Sequence, residues 1–292
     1  MAKHLSVVIP VHNSIGYTKQ CLKNIVPLIN QLNENSLKTE IIVVDDGSAD
    51  GTSDYIRNNY PSVHLLSGDG TLWWSGGAQK GMDYALDHLQ TDFILWWNND
   101  ILASEDYFTQ LADLLKNSSE DVVYGSKIYN AEAPQKIWTY GGFFHSIWGH
   151  SYTFGRGESD GPEFSKAIEA DWLPGMGTVL SKEIIKKTGR INIIEFPQYH
   201  ADVDYTYRAK LAGYKVMVIP ELKIWNHTRH SGRTHNNKIS GLFSTLHDIK
   251  SQYHFDKEWL LYKKYATTPL AYLMLIKRYL GYFIKFLIRK PN

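Results

Sequence analysis

The sequence predicts an α/β protein, a mostly parallel sheet flanked by helices with a helical C-terminal extension. Two observations carry this. Three apolar runs end abruptly in polar residues: Leu5 to Val11 before His12-Asn13, Ile41 to Val44 before Asp45-Asp46-Gly47-Ser48, and Phe93 to Trp97 before Asn98-Asn99-Asp100. Near-continuous apolar runs mark strands buried on both faces, as in parallel sheets. Helical patterns over residues 17–32, 53–59 and 78–89 separate them, and strands alternating with helices build a parallel sheet from βαβ units. Ligands of open α/β sheets bind beyond the carboxyl ends of the strands, so the polar termini should share one edge.

Each element carries chemistry and a plainer alternative. Pro10 near the end of the first strand lacks a donor and reads equally as a strand terminator. Cys21, in the first helical pattern, reads as core. Asp45 and Asp46 can accept hydrogen bonds from a base or ribose, or belong to an ordinary Asp-Gly-Ser turn. Residues 68–78 form a glycine-rich loop opening a helix. It is neither a Walker A, having no Gly-Lys-Ser/Thr, nor a dinucleotide fingerprint. Gly76 and Gly77 would let backbone approach a sugar nucleotide closely. Trp73 and Trp74 either stack on a base or sugar or pack beneath the loop.

Asn98-Asn99-Asp100 is an Asx-rich turn or a site for a hard cation, since Mg²⁺ takes oxygen ligands and keeps several waters. Asp202-Val203-Asp204 precedes a helix over 205–212 that closes at Gly213, so Asp202 is a candidate N-cap. After a strand over 215–219 and the 222–225 run come His227, His230 and His235, either a solvated loop or a source of metal ligands. With one cysteine and no His-Glu-X-X-His there is no closed zinc set.

The 292 residues can bury a large core; 43% hydrophobic and 21% charged content reads as globular. A lone cysteine fits a reducing cytoplasm. The N-terminal residues show neither a signal-peptide core nor a membrane span. The net charge of +1 hides an asymmetry: residues 259–292 hold seven Lys or Arg and no acid, leaving −6 over residues 1–258. An acidic body argues against a nucleic-acid partner. Pro269 should open a helix. At period 3.6, Lys277, Arg278, Lys285 and Arg289 share one face, and Leu275, Ile276, Tyr279, Leu280, Phe283, Phe286 and Leu287 the other. Interrupting charges rule out a span, so the helix reads as an interfacial one on an anionic membrane surface, or as one docked on the core or at a homodimer interface.

Six pieces in order, Val8 to Asn13, Val44 to Thr52, Trp73 to Gly81, Trp97 to Asp100, Trp172 to Gly177 and Tyr199 to Asp204, resemble the family 2 glycosyltransferases of GT-A fold. The likeness covers roughly residues 5 to 230 and looks closest to rhamnosyltransferase-like members of bacterial surface polysaccharide synthesis. It implies a catalytic domain over residues 1–237 and an extension over 238–292. It puts Asp45 on the base, Pro10, Val11, His12 and Asn13 beside the nucleotide, and Asn98-Asn99-Asp100 in place of an Asp-X-Asp motif. Asp100 would hold Mg²⁺ or Mn²⁺ with His227, and Asn98 offers an amide oxygen where the family has a second carboxylate. Asp202 takes the base position, with Asp204 orienting the acceptor or supporting the base. Trp172, Gly175, Met176 and Gly177 form the acceptor loop.

The expected activity is inverting transfer of a sugar from a nucleotide-diphosphate donor to a glycan or lipid-linked acceptor, by a peripheral protein at the inner membrane face. Two other classes compete. A nucleotidyltransferase would release pyrophosphate and lack the base and acceptor loop. A non-catalytic carbohydrate-binding protein would suit nine Trp and nineteen Tyr, but does not explain carboxylates at successive strand ends.

Overall fold

The structure, a computed structural model, describes residues 3–32, 37–117, 119–227, 246–251 and 253–288. The first half runs β1 (Lys3–Val11), α1 (Ile15–Asn30), β2 (Leu37–Asp45), α2 (Thr52–Asn59), β3 (His64–Ser67), α3 (Trp73–His88), β4 (Phe93–Trp96), β5 (Ile101–Ala103) and α4 (Tyr107–Lys116). Then come β6 (Val122–Asn130), β7 (Ala133–Thr139), β8 (Gly142–His145), β9 (His150–Thr153), β10 (Ile168–Glu169), β11 (Thr178–Ser181), α5 (Lys182–Thr188), α6 (Ala201–Leu211) and β12 (Lys215–Asn226). Two further helices follow, α7 (Phe255–Tyr265) and α8 (Pro269–Ile288).

The sheet order is β10-β12-β6-β11-β4-β1-β2-β3. The half that carries the three apolar runs is parallel: β1 pairs with β2 and β4, and β2 with β3. Those strands are covered on both faces. Leu5, Val7 and Ile9 face one buried cluster with Cys21, Leu22 and Ile25 of α1, while Val8, Ile42 and Val44 face another with Ala78 and Met82 of α3. Burial pushes the Cys21 thiol up to about 12, so it is core, as expected. Beyond β4 the sheet is mixed: β11 inserts antiparallel between β4 and β6, and β12 returns parallel to β6. The runs over 215–219 and 222–225 are one strand, with a register shift between Ile219 and Lys223.

Trp96, 1% exposed, ties the halves together. Its ring meets Trp74 of α3 edge-on at 5.5 Å and Tyr205 of α6 at 5.1 Å, contacts worth about 0.5–1.5 kcal/mol each beyond area burial. α7 is bonded into the same body: Lys264 and Tyr265 reach Asp204 of α6, and the Tyr262 hydroxyl donates to the Gly149 carbonyl in the β8–β9 turn.

α8 divides differently from its helical wheel. Arg278 pairs with Glu258 of α7, the Tyr279 hydroxyl donates to the same carboxylate, and Leu275 is fully buried. Leu273, Ile276, Leu280, Phe283 and Ile284 face outward beside Lys277. A carboxylate on the neighbouring helix ties Arg278 and Tyr279 to α7, which periodicity within α8 does not reveal. The side chains of Lys285, Phe286 and Leu287, and Arg289, His230, His235 and the boundary at 237/238, lie outside the described residues.

Candidate active site

The strand order reverses between β4 and β1, with β2 and β3 on one side of β1 and the later strands beyond β4 on the other, which makes the gap between them a topological switch point where such folds bind ligands. A cavity of about 380 Å³ opens there. Its walls are Pro10, Val11, His12 and Ser14 after β1, Asp46 after β2, and Asn98, Asn99 and Asp100 after β4. Gly70, Trp73 and Trp74 at the start of α3 join them, with Gln198 and Tyr199 ahead of α6, and Lys250. The three polar strand ends thus share one edge.

Asp46 organises this edge. Its two carboxylate oxygens accept from the Gly70 and Trp73 amides at 2.8 and 3.0 Å, pinning the 68–73 loop to the end of β2. Gly68 packs so close that a Cβ there would lie 2.4 Å from Asp46 Oδ1. The Asp46 carbonyl accepts from His12 Nδ1 at 2.6 Å, which fixes the tautomer, and His12 Nε2 then accepts from Asn13 Nδ2 at 2.8 Å. Asn13, Trp73 and His200 are the non-glycine residues with positive φ among those described, at 45°, 56° and 70°. Such backbone costs about 1–3 kcal/mol and clusters at functional sites; all three lie in or beside the cavity walls. Asp46→Ala would strand two amides. It should lower stability by about 2 kcal/mol and weaken nucleotide binding, and an unchanged melting temperature with unchanged affinity would contradict that role.

Several expected contacts are corrected. Asp45, 2% exposed, does not line the cavity: its oxygens accept from the Ser48 amide and the Ser53 hydroxyl, so it shapes the turn after β2. Asn13 likewise braces the turn, its Oδ1 accepting from the Ala49 amide. Gly76 and Gly77 sit inside the first turn of α3, and a Cβ on Gly77 would stand 3.0 Å from Pro10 Cβ. They bring α3 onto β1 and present no backbone to a ligand.

Asp100 fits a metal. It is half-buried, its Oδ1 is shut off from solvent with no hydrogen-bond partner, and burial raises its carboxyl to about 6. The His227 amide donates to the Asp100 carbonyl at 3.0 Å, bringing the two residues together, and His227 Nδ1 lies 3.5 Å from Glu132 Oε1. A carboxylate behind a ligating imidazole sets its orientation. No group of three His, Cys, Asp or Glu suited to a metal occurs among the described residues. An oxygen and an imidazole, completed by diphosphate oxygens and water, suit Mg²⁺ or Mn²⁺. Asn98 is engaged by the α3 wall: its Oδ1 accepts from Trp74 Nε1 at 2.9 Å, which uses one of its two lone pairs. The indole N–H only donates, so the amide oxygen faces it and the NH₂ remains for a ligand. Asn99 Nδ2 donates to Ser14 and Thr18.

The second wall begins at α6. Asp202 accepts from the Gly175 amide at 2.7 Å and the Val203 amide at 2.9 Å, and burial raises its carboxyl above the usual aspartate value. A Cβ on Gly175 would lie 2.2 Å from the Trp74 ring, so the 172–177 loop packs directly on a donor-cavity wall. Gly177 has φ of 68° and abuts Ser126, and Met176 packs on the core. Asp204 faces away from this wall. It is fully buried and paired with Arg208 Nε at 2.9 Å, Lys264 Nζ at 3.1 Å and the Tyr265 hydroxyl at 2.6 Å. It cannot orient an acceptor and instead locks α6 to α7. Asp204→Ala should cost about 3 kcal/mol, the low end for a broken buried pair because Lys264 and Arg208 reach solvent. A fall in melting temperature without loss of nucleotide binding checks this.

Residues 6–189, more than half the chain, match the family described as Glycosyl transferase family 2. The chain belongs to glycosyl transferase family 2. Among similar proteins is the low-salt glycan biosynthesis hexosyltransferase Agl10 of Haloferax volcanii, 22% identical over 213 residues, 72% of this chain and 62% of the relative. Another is a dolichyl-phosphate beta-glucosyltransferase, ALG5A of Trichomonas vaginalis, 26% identical over 139 residues, 44% of this chain and 42% of that one. The chain spans 19% to 62% of the length of the curated relatives it matches. GalNAc-T7, solved with UDP, GalNAc and Mn²⁺, superposes with a TM-score of 0.55 at 12% identity, over 77% of this chain and 44% of that one. TarS 1–349 of S. aureus with UDP gives 0.52 at 16%, over 78% and 60%. These likenesses establish the GT-A fold of this family 2 chain.

The family motifs miss Ser14, Gly70, Gln198 and Lys250. Lys250 Nζ stands 5.6 Å from the centroid of the Trp73 ring, yet no sequence pattern links residues so far apart.

Proposed function

We propose that the chain is an inverting, metal-assisted glycosyltransferase that moves a sugar from a nucleotide-diphosphate donor to a glycan or lipid-linked acceptor. The observation that carries this is the pairing of the partnerless Asp100 oxygen in the switch-point cavity with a raised carboxyl at Asp202, joined through Gly175 and Trp74. The cavity would hold the nucleotide between the Asp46-pinned loop and the end of β1, with Trp73 and Lys250 on its rim. A divalent cation held by Asp100 and His227 would offset the charge growing on the departing diphosphate. Asp202 takes the acceptor hydroxyl proton as that oxygen attacks the anomeric carbon and the bond to the diphosphate breaks. One base and one displacement invert the centre. The motif order further supports a rhamnosyltransferase-like enzyme of bacterial surface polysaccharide synthesis.

Thermal shift with UDP, dTDP, GDP and CMP, each with and without Mg²⁺ or Mn²⁺, tests the donor side. A ligand that binds only the folded state raises the melting temperature. One nucleoside diphosphate should do so in a metal-dependent manner; no shift with any would contradict the reading.

The outward stripe of α8 supports contact with an anionic membrane surface. No helix among the described residues is long and apolar enough to cross a membrane. Leu273, Leu280 and Ile284 are 61%, 56% and 52% exposed, and Ile147 and Trp148 in the β8–β9 turn, which α8 packs against, are also exposed. Basic residues near a membrane surface contribute about 1 kcal/mol each. Leu280→Glu with Phe283→Glu should abolish binding to anionic liposomes, and added salt should weaken it. If the unmodified chain ignores such liposomes and sediments as a dimer, the stripe is a homodimer interface.

A further inference from the structure

Lys250 lines the switch-point cavity from the short segment 246–251. That segment lies beyond residues 6–189, so the family match gives Lys250 no role. Among the described residues that line the cavity, it is the one Lys or Arg. The His12 ring in the same wall accepts from Asn13 at Nε2 while its Nδ1 faces the Asp46 carbonyl, as a neutral imidazole does.

Among the described residues, the Lys250 ammonium has neither an ion pair nor a hydrogen bond. Nζ instead stands 5.6 Å from the centroid of the Trp73 ring. An exposed contact of that kind is weak beside a charge-assisted hydrogen bond, so the ammonium is free to take an anion. The neighbouring carboxylates are already engaged. Asp46 accepts from the Gly70 and Trp73 amides, and Asp248 Oδ1 accepts from the Lys250 amide at 2.8 Å. The ring beneath the ammonium is itself deliberately placed. Trp73 has a φ of 56°, and its amide is tied to Asp46 Oδ2 at 3.0 Å. Strained backbone of this kind is kept at functional sites, and here it sets the indole at the rim below Lys250.

The charge around the cavity narrows the ligand group that Lys250 can meet. Asp46 and Asp100 both line it, and residues 1–258 carry −6. A neutral base or sugar gains little from an ammonium. A phosphate gains a counter-charge and up to three donors.

We propose that Lys250 binds the phosphate oxygens of the nucleotide donor, with the Trp73 ring holding its stem at the cavity mouth. The inference rests on the proposed reading of this cavity as a nucleotide site.

The test is calorimetric titration of the full chain with UDP, dTDP and GDP in the presence of Mn²⁺, at low and at high salt. Lys250→Met keeps an unbranched stem on Trp73 and removes the charge. It should weaken binding of the preferred nucleoside diphosphate about tenfold, with the melting temperature unchanged because the side chain is exposed. Lys250→Arg keeps the charge and should retain most of the parent affinity. Added salt should weaken the parent more than Lys250→Met, since screening acts on the charge that the variant lacks. Parent-like affinity in Lys250→Met overturns the proposal. So does Lys250→Arg binding as weakly as Lys250→Met, or the same salt dependence in parent and Lys250→Met. A parent chain that binds none of the three nucleotides is a separate failure, of the proposed function and of this contact with it.

Discussion

Asp202→Asn is expected to lower turnover by about 10²-fold or more, the scale of general base catalysis, with donor affinity near that of the parent. The amide keeps the size of the side chain and one of its two accepted bonds, to Gly175 or Val203, but has no basicity. A melting curve separates any structural cost from the kinetic one. The pH profile gives an independent reading. Burial raises the Asp202 carboxyl, and the base works only when deprotonated. Activity should therefore be full above that raised value and fall as pH drops through it, with the acid limb above the usual aspartate range. An Asn variant that keeps most of its turnover would assign the base elsewhere. Asp204 is excluded as a replacement by its burial and its three partners.

Asp100→Ala should abolish the metal-dependent part of nucleotide binding while the fold survives. Deleting a desolvated carboxylate whose Oδ1 lacks a partner relieves its desolvation and gives up only a local backbone bond and the attraction of His227, so the variant should be close to the parent in stability. Asp100 and His227 are the two candidate protein ligands, so losing one halves what the chain offers the cation. Calorimetric titration with and without Mn²⁺ reads this directly. Equal nucleotide affinity in parent and variant, with metal present, would show that Asp100 is not a ligand.

What could be read ahead of the structure was whatever is encoded locally. β1, β2 and β4 are covered on both faces, so their residues form unbroken apolar runs, and their polar ends pointed to one edge. Asp100 was visible because it closes such a run. What could not be read depends on distant partners. Asp45 and Asp46 are adjacent and alike in sequence, but one serves its own turn and the other clamps a loop more than twenty residues away. Gly76 and Gly77 look like a phosphate loop until Pro10 is found against them. Asp204 carries a catalytic-looking motif, but Lys264 and Tyr265, sixty residues on, claim its carboxylate. For α8 the wheel draws its faces from the helix alone; Glu258 of α7 cuts across them by taking Arg278 from the basic face and Tyr279 from the apolar one.

The most direct test of the account is nucleoside diphosphate release from a panel of nucleotide sugars, with and without divalent cation. Proposed metal-assisted transfer predicts that one donor yields nucleoside diphosphate, that chelation stops the release, and that Asp100→Ala and Asp202→Asn each suppress it. Release of pyrophosphate from a nucleoside triphosphate and a sugar phosphate, or binding of glycans with no donor ever turned over, would contradict it.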